Sequence, residues 1–462
     1  MEKITYEIIN SWIKKEGNVN STQSILEWIK ETNDKIEVHI EKVPLSKCAP
    51  WYYDYSSGTI CNPNGNFFSI SGIQEFYDGE LIKEQPVIMQ CEIGFLGIIC
   101  KIIDGVLNFL MQAKIEPGNI NKVQISPTIQ ATKSNFTKKH GGRQPAYLDY
   151  FVNARKHTII VDQIQSEQSS RFYKKRNRNI IILVEDEVEV LPSHKWMTLG
   201  QIKQLMKIDN LVNMDARTVL SCIPFSIAKI SLDNMLEFRQ FFNSEDLYRS
   251  IFESPVKNKI PQLYSYINDY KMFRSKETKL IPLLSLKDWQ MKNNEFSSPS
   301  ANFKIVFCDI KIQGREVTHW AQPLFEAIGK ATFGLFMSNI EGVRNFLVQI
   351  KPEIGCFDQL EIGPTVQLES NFDPSECDIV TKLFLQHLEN SESIHYDVIL
   401  SEEGGRFYCE QNRNVIIEIN YRDIDYLPEK YQWVDYATLN TLVQVNNCLN
   451  IQLRNLLALL EV

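Results

Sequence analysis

The sequence predicts an α+β fold, in which two copies of one domain each combine a mixed or antiparallel sheet with packed helices. Two observations lead to this prediction. Residues 97–130 and 334–367 lie 237 positions apart, align without a gap and share 15 of 34 residues, where average composition gives about two by chance. Within each copy, segments of alternating apolar and polar residues come first and two helical patterns follow them.

The similarity extends beyond this segment, which distinguishes a duplicated domain from one shared motif. SNF occurs at Ser134–Phe136 and Ser370–Phe372, and SE-x-x-x-RFY-x-x-x-NRN occurs at Ser166–Asn179 and Ser401–Asn414. The shift between equivalent positions varies only from 235 to 237. A period this long, present twice, is typical of two whole domains, because solenoid repeats run roughly 20–50 residues.

The chain divides into four predicted segments. Residues 1–42 carry two apolar helical patterns and form a helical arm, residues 43–230 the first repeat, residues 231–280 a helical connector, and residues 281–462 the second repeat. Predicted strands in the first repeat are VLNFLMQAKIE, VQISPTIQAT, HTIIVDQIQS and NIIILVEDEVEVL, each with a counterpart in the second repeat. Connecting helices are expected to break near Pro255 and Pro261.

Composition excludes several classes of protein. A net charge of -8 argues against a general binder of nucleic acid or anionic membranes, since either needs a basic excess. No leader-like start or uninterrupted apolar run of membrane-spanning length is visible, so we expect a soluble cytoplasmic protein. The ten cysteines include no C-x-x-C pair, which favours free thiols in a reducing compartment.

A basic patch in the first repeat is a candidate anion site. Arg171–Asn179 reads RFYKKRNRN, and such charge interleaved with aromatic residues suits a phosphate or pyrophosphate. The NRN part equally suits a structural turn. In the second repeat, Gly404 and Gly405 precede the equivalent Arg406, so the backbone there can approach a ligand closely or form an ordinary tight hairpin.

His140, in a KKHGG sequence, is a candidate proton-transfer group. The second repeat has no histidine at the equivalent place, so this residue is where one copy can specialise. The alternative is a solvated loop histidine. No metal-ligand spacing, G-x-G-x-x-G motif or phosphate-binding G-x-x-x-x-G-K-[ST] motif is present, so neither a metal nor a dinucleotide is expected.

Several long motifs resemble the NDP-hexose 2,3-dehydratase family. They are EPGN at Glu116–Asn119, SPTIQATKSNF at Ser126–Phe136, QSEQ at Gln165–Gln168, NRN, NMDARTVLSC at Asn213–Cys222, and GPTVQ and SEEGGRFY in the second repeat. The resemblance implies a homodimer of chains with two fused Nudix-like domains, acting on dTDP-4-keto-6-deoxyglucose in deoxysugar biosynthesis. GREV at Gly314–Val317 continues as THWAQ, without the paired glutamates that Nudix hydrolysis of diphosphates requires.

The resemblance also implies the residues that contact the nucleotide sugar. In the first repeat they are Trp51, Thr132, Lys133, Ser134, Asn135, Phe136, Ser169 and Arg171. In the second repeat they are Trp289, Lys351, Gln367, Ser370, Asn371, Phe372, Gly404, Gly405, Arg406 and Phe407. Phe136 stands where the family usually has tyrosine, and Ser170-Arg171 where it has a serine-tryptophan pair.

The implied reaction needs no cofactor. A ketone at sugar carbon 4 acidifies the hydrogen on carbon 3, so a base can remove it and an acid can assist loss of the carbon 2 hydroxyl. The expected proton-transfer group is His140, with Glu116 second and Tyr147 as a further candidate. A nucleotide-sugar isomerase or epimerase and a non-catalytic nucleotide-sugar-binding scaffold are the alternatives.

Overall fold

The computed structural model describes residues 2–63, 67–132, 144–226, 232–254, 259–313, 317–390 and 393–461. Two helices lead the chain: α1 Glu2–Ile13 and α2 Thr22–Lys35. The strands of the first half are β1 Val38–Lys42, β2 Tyr52–Asp54, β3 Thr59–Cys61, β4 Ser69–Tyr77, β5 Glu80–Met89, β6 Gly94–Ile103, β7 Val106–Ile115, β8 Val123–Ser126, β9 Ile129–Ala131, β10 Thr158–Ser166, β11 Phe172–Tyr173, β12 Arg176–Leu183 and β13 His194–Met197. Its later helices are α3 Leu148–Val152, α4 Leu199–Leu205 and α5 Met214–Ser221.

The connector and the second half follow the same order. The connector holds α6 Leu232–Arg239, α7 Glu245–Phe252 and α8 Lys259–Phe273. The strands are β14 Lys276–Ile281, β15 Gln290–Lys292, β16 Glu295–Ser297, β17 Phe303–Ile312, β18 His319–Ala327, β19 Thr332–Ile340, β20 Val343–Pro352, β21 Leu360–Gly363, β22 Val366–Leu368, β23 Ile394–Ser401, β24 Gln411–Glu418 and β25 Tyr431–Asp435. The helices are α9 Ile379–Glu389, α10 Tyr436–Leu442 and α11 Ile451–Ala458.

The described residues form a mixed α/β structure with several sheets. The main sheet of the first repeat has the order β10-β12-β6-β7-β13, with β8 and β9 added to β7 and β6, and the second repeat has β23-β24-β19-β20-β21, with β22 and β25 added to β19 and β20. In each, one central pair is parallel, β12 with β6 and β24 with β19, and the other pairs are antiparallel. The same topology in both halves agrees with a duplicated domain.

Two smaller sheets are built by an exchange of strands between the repeats. Strand β1, which precedes the first repeat, pairs antiparallel with β17 of the second from Val38/Ile312 to Lys42/Cys308. Strand β14, which precedes the second repeat, pairs antiparallel with β4 of the first, from Lys276/Tyr77 to Ile281/Gly72. The ends of the predicted arm and of the predicted connector are therefore strands, and each belongs to the sheet of the other repeat.

The largest hydrophobic core lies between the two main sheets. Helices α5 and α11 pack against each other there, together with α1, α4 and α10. Asn213 begins α5 and Asn450 begins α11, and each side chain accepts a hydrogen bond from a backbone N–H in the first turn, as a helix N-cap does. Among the described residues, no helix is long and apolar enough to cross a membrane.

Two local predictions differ from the structure, and a third agrees with it. VQISPTIQAT forms two short strands, because Pro127 has no N–H to donate and β8 and β9 pair with different neighbours. The strand predicted over NIIILVEDEVEVL ends at Leu183, where pairing with β6 stops. The break predicted near Pro255 and Pro261 agrees with the structure, in which α7 ends at Phe252 and α8 begins at Lys259. Pro261 lies in the first turn of α8, where a missing N–H costs nothing, and Pro255 lies outside the described residues.

Candidate active site

In addition to the exchanged strands, four backbone hydrogen bonds join the two repeats in an approximate twofold relation. In one pair, the Gly118 N–H donates to the Gly404 carbonyl at 2.7 Å and the Cys409 N–H donates to the Gly118 carbonyl at 2.8 Å. In the other, the Gly355 N–H donates to the Ser169 carbonyl at 2.9 Å and the Lys174 N–H donates to the Gly355 carbonyl at 2.8 Å. The loop that contains Gly118 or Gly355 in one repeat is thus fixed against a turn of the other repeat.

Glycine is required at these joints by space. A Cβ on Gly118 would lie 1.6 Å from the Phe407 carbonyl oxygen, and one on Gly355 would lie 1.8 Å from the Phe172 carbonyl oxygen. Real Cβ atoms do not approach oxygen so closely, so any side chain would force the repeats apart. Because Gly118 and Gly355 have no side chain, each of these two loops packs closely on the other repeat. Glu116 in the first loop and Glu353 in the second therefore each lie beside a turn of the other repeat.

The first of these two sites is centred on Glu116. Its Oε1 atom lies 3.1 Å from Nζ of Lys114 and accepts a hydrogen bond from Nε2 of Gln130, also at 3.1 Å. Nδ2 of Asn213 donates to Oε1 of Gln130 at 3.4 Å. All four residues come from the first repeat, and Glu116 is only 6% exposed.

The second repeat contributes the opposite side of this site. Glu403 is half-buried in the turn after β23. A Cβ on Gly405 would lie 2.3 Å from Oε1 of Glu403 and 3.5 Å from Oε1 of Glu116, so the two carboxyl groups border the same small space. Burial, followed by the negative charge of Glu116, raises the pKa of Glu403 to about 7, against the opposing effect of Arg406.

Arg406 lies next to this pair. Its guanidinium is 4.3 Å from the centre of the Phe68 ring, and Nε donates to Oε1 of Gln90 at 3.1 Å. The Gly405 carbonyl accepts from Nη1 of Arg406 at 2.7 Å and from Nε2 of Gln322 at 2.8 Å. Arginine is the side chain best suited to phosphate, and here the stacking interaction fixes its orientation.

The second site repeats the arrangement with different residues. Nε2 of Gln367 donates to Oε1 of Glu353 at 3.3 Å, and Nδ2 of Asn450 donates to Oε1 of Gln367 at 2.8 Å. Burial raises the pKa of Glu353, while the nearby Lys351 opposes the shift. The position equivalent to Glu403 is Gln168, so this site has an amide where the first has a carboxyl group.

Arg171 holds the position in the second site that Arg406 holds in the first. Its guanidinium lies 4.1 Å from the centre of the Phe303 ring and 3.6 Å from Glu369. Phe172 and Phe407, which follow the two arginines, meet edge to face with ring centres 5.8 Å apart. The predicted residues Ser169, Gly404 and Phe407 are buried at this boundary between the repeats.

Trp51 and Trp289 lie in a buried aromatic cluster that both repeats share. Nε1 of Trp51 donates to the Ala321 carbonyl at 2.9 Å, and Trp289 stacks on Phe296 with ring centres 5.6 Å apart. Their exposed fractions are 5% and 8%. Both indoles pack in the core, and their contact with a nucleotide sugar remains a prediction.

The SNF loops are described only in part. Lys133, Ser134, Asn135, Phe136 and His140 lie outside the described residues. Thr132 is half-buried at the end of β9. In the second repeat, Oγ of Ser370 donates to the Ile328 carbonyl, Nδ2 of Asn371 donates to the Ser300 carbonyl at 3.0 Å, and Phe372 packs against the hydrophobic cluster around α9.

The structure does not bring Tyr147 to this site. Its hydroxyl donates to the Glu189 carbonyl at 2.7 Å and accepts from the Leu191 N–H at 3.1 Å. Its ring packs in the cluster that contains Ile129, whereas the next residue, Gln130, contacts Glu116, and neighbouring residues of a strand point to opposite faces. The structure therefore places Tyr147 away from Glu116, and its part in proton transfer remains a prediction.

The charged residues of the basic patch at Arg171–Asn179 lie in different surroundings. Arg178 forms a two-pronged ion pair with Asp162 at 2.6 Å, and its counterpart Arg413 pairs with Asp397 in the same way. These ion pairs between neighbouring strands agree with the interpretation of NRN as a structural motif. Arg171 and Lys175, by contrast, are buried at the boundary between repeats.

Glu403 borders the first site but is not among the residues predicted from the sequence. The signal was visible in the comparison of repeats, where Glu402-Glu403-Gly404-Gly405 replaces Glu167-Gln168-Ser169-Ser170. A cavity of about 480 Å³ beside α1, lined by residues that include Glu7 and Lys101, contains none of the predicted site residues. Among the described residues, no group of three or more His, Cys, Asp or Glu is placed to hold a metal ion.

Comparison with known proteins identifies the family. A family model described as NDP-hexose 2,3-dehydratase matches residues 22–223 and 261–460. The dTDP-4-dehydro-6-deoxy-alpha-D-glucopyranose 2,3-dehydratase of Saccharopolyspora spinosa is 36% identical over 447 residues, covering 94% of this chain and 90% of its own. The enzymes of that name from Amycolatopsis orientalis and Streptomyces violaceoruber are 35% and 33% identical, covering 95% of this chain and 89% and 97% of their own lengths.

A crystal structure of an ADP compounds hydrolase is 13% identical, covers 33% of this chain and 80% of its own, and has a TM-score of 0.19, too low to support an argument about fold. The family assignment rests on the sequence matches, which extend over both repeats and agree with the resemblance carried by the motifs. The chain belongs to the NDP-hexose 2,3-dehydratase family.

Proposed function

We propose that the protein is a hydro-lyase that removes water across carbons 2 and 3 of dTDP-4-keto-6-deoxyglucose. The product is a dTDP-3,4-diketo-2,6-dideoxyhexose, an intermediate of deoxysugar biosynthesis. Family membership and the printed activity of the three relatives support the reaction and the substrate. The observation that carries the proposal is the Lys114–Glu116 ion pair facing a second carboxyl group across a small, half-buried space.

The chemistry begins at carbon 3, whose hydrogen is acidified by the neighbouring ketone. The Glu116 carboxylate takes this proton, and the electron pair moves toward the carbon 4 oxygen as an enolate. The Lys114 ammonium, 3.1 Å from Glu116, is close enough to stabilise the negative charge that develops on that oxygen. Gln130 fixes the orientation of the Glu116 carboxylate through its hydrogen bond.

The enolate then returns its electron pair, carbon 2 loses its hydroxyl as water, and a double bond forms between carbons 2 and 3. The resulting enol tautomerises to the diketone, so carbon 2 gains a proton and the carbon 3 hydroxyl loses one. No electrons leave the substrate, and the reaction therefore needs no redox cofactor. Arg406, stacked on Phe68 beside the first site, is the proposed contact of the diphosphate there, and Arg171, stacked on Phe303, is its counterpart in the second site.

Product analysis tests the proposal against its alternatives. Protein incubated with dTDP-4-keto-6-deoxyglucose should release a product lighter by the mass of one water, trapped chemically because the diketone is unstable. An isomerase or epimerase would give no mass change, and a binding scaffold would give no product. The reaction should continue after exhaustive treatment with EDTA and without added NAD; activity that requires a returned metal would refute the cofactor-free route.

Three finer features belong to the same proposal. Each repeat is Nudix-like in fold, with helices packed on a mixed sheet. The protein is a homodimer, which light scattering coupled to size exclusion tests directly. Its place is the cytoplasm, and the free state of all ten cysteines supports a reducing compartment.

A further inference from the structure

We propose that Glu403, contributed by the second repeat, is the general acid that protonates the hydroxyl leaving carbon 2. This assignment rests on the proposed dehydration and adds to it the group that completes the water molecule. The base and the acid would then come from different repeats, with Glu116 on one side of the substrate and Glu403 on the other. Three observations lead to it.

The position of Glu403 is set by backbone contacts. Its carbonyl accepts from the N–H groups of Arg406 and Phe407 at 3.1 and 3.0 Å, which closes the turn. The next residue, Gly404, accepts from the Gly118 N–H in the loop that carries Glu116. The two carboxyl groups are thus held on adjoining loops that are hydrogen-bonded to each other, and a catalytic pair needs such fixed geometry.

Gly405 lies against both carboxyl groups. Its φ is not in the left-handed region, so the backbone does not demand glycine. A Cβ there would instead lie 2.3 Å from Oε1 of Glu403 and 3.5 Å from Oε1 of Glu116. The second site has Ser170 at this position. Without a side chain at Gly405, the Glu403 carboxyl group can lie against the backbone there, close to Glu116.

The Glu403 carboxyl group also differs from its neighbours in its contacts. Asn412 donates to Glu402 at 2.6 Å, Asn177 donates to Glu167 at 2.6 Å, and Glu116 is held by Lys114 and Gln130. Among the residues that the structure describes, none donates a hydrogen bond to the side chain of Glu403. Its oxygens are therefore available to a ligand, and its raised pKa keeps a share of the group protonated near neutral pH.

The proton balance closes over one turnover. Glu116 gains the carbon 3 proton, and Glu403 gives its proton to the departing oxygen as the carbon 2–oxygen bond breaks. In the tautomerisation that follows, carbon 2 gains a proton and the carbon 3 hydroxyl loses one, which returns both carboxyl groups to their starting states. An amide cannot supply a proton in this way, so Gln168 of the second site is no substitute.

The first test is Glu403→Gln, which introduces the side chain that the second site carries. Turnover should fall by about a hundredfold to ten-thousandfold, the usual contribution of a general acid, while affinity for dTDP-4-keto-6-deoxyglucose stays near normal. Exchange of the carbon 3 hydrogen with solvent deuterium should persist, because Glu116 acts before the acid. Glu187→Gln is the matched control, since that side chain is 97% exposed and should leave turnover unchanged.

The second test removes the need for an acid. With the substrate analogue that carries fluorine in place of the carbon 2 hydroxyl, fluoride leaves without protonation, so Glu403→Gln and the unmodified protein should release it at similar rates. Equal slowing of fluoride release and dehydration would overturn the acid role, as would near-normal dehydration by Glu403→Gln. If the unmodified protein releases no water, the proposed function itself fails, which is a separate outcome.

Discussion

Nη2 of Arg217, on α5 of the first repeat, donates a 2.8 Å hydrogen bond to the backbone carbonyl of Ser401, the last residue of β23 in the second repeat. Arg454 makes the equivalent contact with Ser166 at the end of β10. Both arginines are fully buried, and burial lowers the pKa of Arg217 to about 10. Each thus holds the strand end from which a site-forming turn of the other repeat begins.

Arg217→Met should lower the free energy of unfolding by about 3 kcal/mol, because a buried carbonyl loses its donor and nearby carboxyl groups lose a positive charge. Turnover should fall as well, since the turn that carries Glu403 loses its support. Arg178→Met is the control, because its ion pair is about one-third exposed and such pairs contribute about 0–1 kcal/mol. Urea denaturation measures the free energy of unfolding of both variants. Equal losses in Arg217→Met and Arg178→Met would contradict the role given to Arg217.

Glu361→Gln should stabilise the protein above neutral pH. Oε2 of Glu361 accepts from Oγ of Ser166 at 2.8 Å, and the first repeat places Gln124 at the same position against Ser401. Burial raises the pKa of Glu361 to about 8, so its contribution to stability is complete below the ordinary glutamate range and is lost as the pH rises through about 8. The side chain of Glu361→Gln does not ionise, so the variant does not lose this stability at high pH. Urea midpoints at pH 5 and pH 8.5 should therefore diverge only at the higher pH; a constant difference would argue against the shift.

Turnover should decline as the pH rises through about 7, because Glu403 must carry a proton to act as an acid and its pKa is raised to about 7. The stability of the protein should also fall as the pH rises through this range. The reason is that the pKa of Glu403 is higher in the folded state than in the unfolded state, so stability is lost as the carboxyl group ionises. In Glu403→Gln the residual turnover should lack this decline. A profile that is flat from pH 6 to 8.5 in the unmodified protein would count against the assignment.

Glu116→Gln should abolish exchange of the carbon 3 hydrogen with solvent and lower turnover by about a hundredfold to ten-thousandfold, as expected for loss of a base. The sequence also predicts His140 for proton transfer, and His140→Ala separates the two. If Glu116 is the base, His140→Ala keeps the exchange reaction. Loss of exchange in His140→Ala with exchange intact in Glu116→Gln would move the base to the histidine.

Much of the local structure was predictable because it depends on neighbouring residues. The segment predicted as a strand from Val106 to Glu116 forms β7, which ends at Ile115, and the two terminal helical patterns of each repeat form helices. The prediction of a strand was wrong where the segment has no neighbouring strand to pair with. The alternating residues after Leu183 have a strand pattern, but pairing with β6 ends there, and an extended segment without a ladder is not a strand.

The sequence predicts residues of the candidate site within each repeat, but not which residues of the two repeats lie together. Motifs predict Glu116, Gly404, Gly405 and Arg406 but not Glu403, because its closeness to Glu116 depends on the packing of one repeat against the other. The resemblance predicts that Trp51 and Trp289 contact the ligand. The structure has both in a shared aromatic core, and the contact remains a prediction. A sequence pattern reports the type of a side chain and not which distant loop it faces.

The sequence by itself determined the duplication, the order of strands and helices in each repeat, the family and the class of reaction. The tertiary structure alone decided that β1 and β14 exchange between repeats, that Gly118 and Gly404 join the two loops, and that Glu116 faces Glu403. The reason is physical. Helices and strands follow from periodicities within a few residues, whereas the pKa of Glu403 and the space beside Gly405 arise from burial and charge that only the packing of one repeat against the other creates.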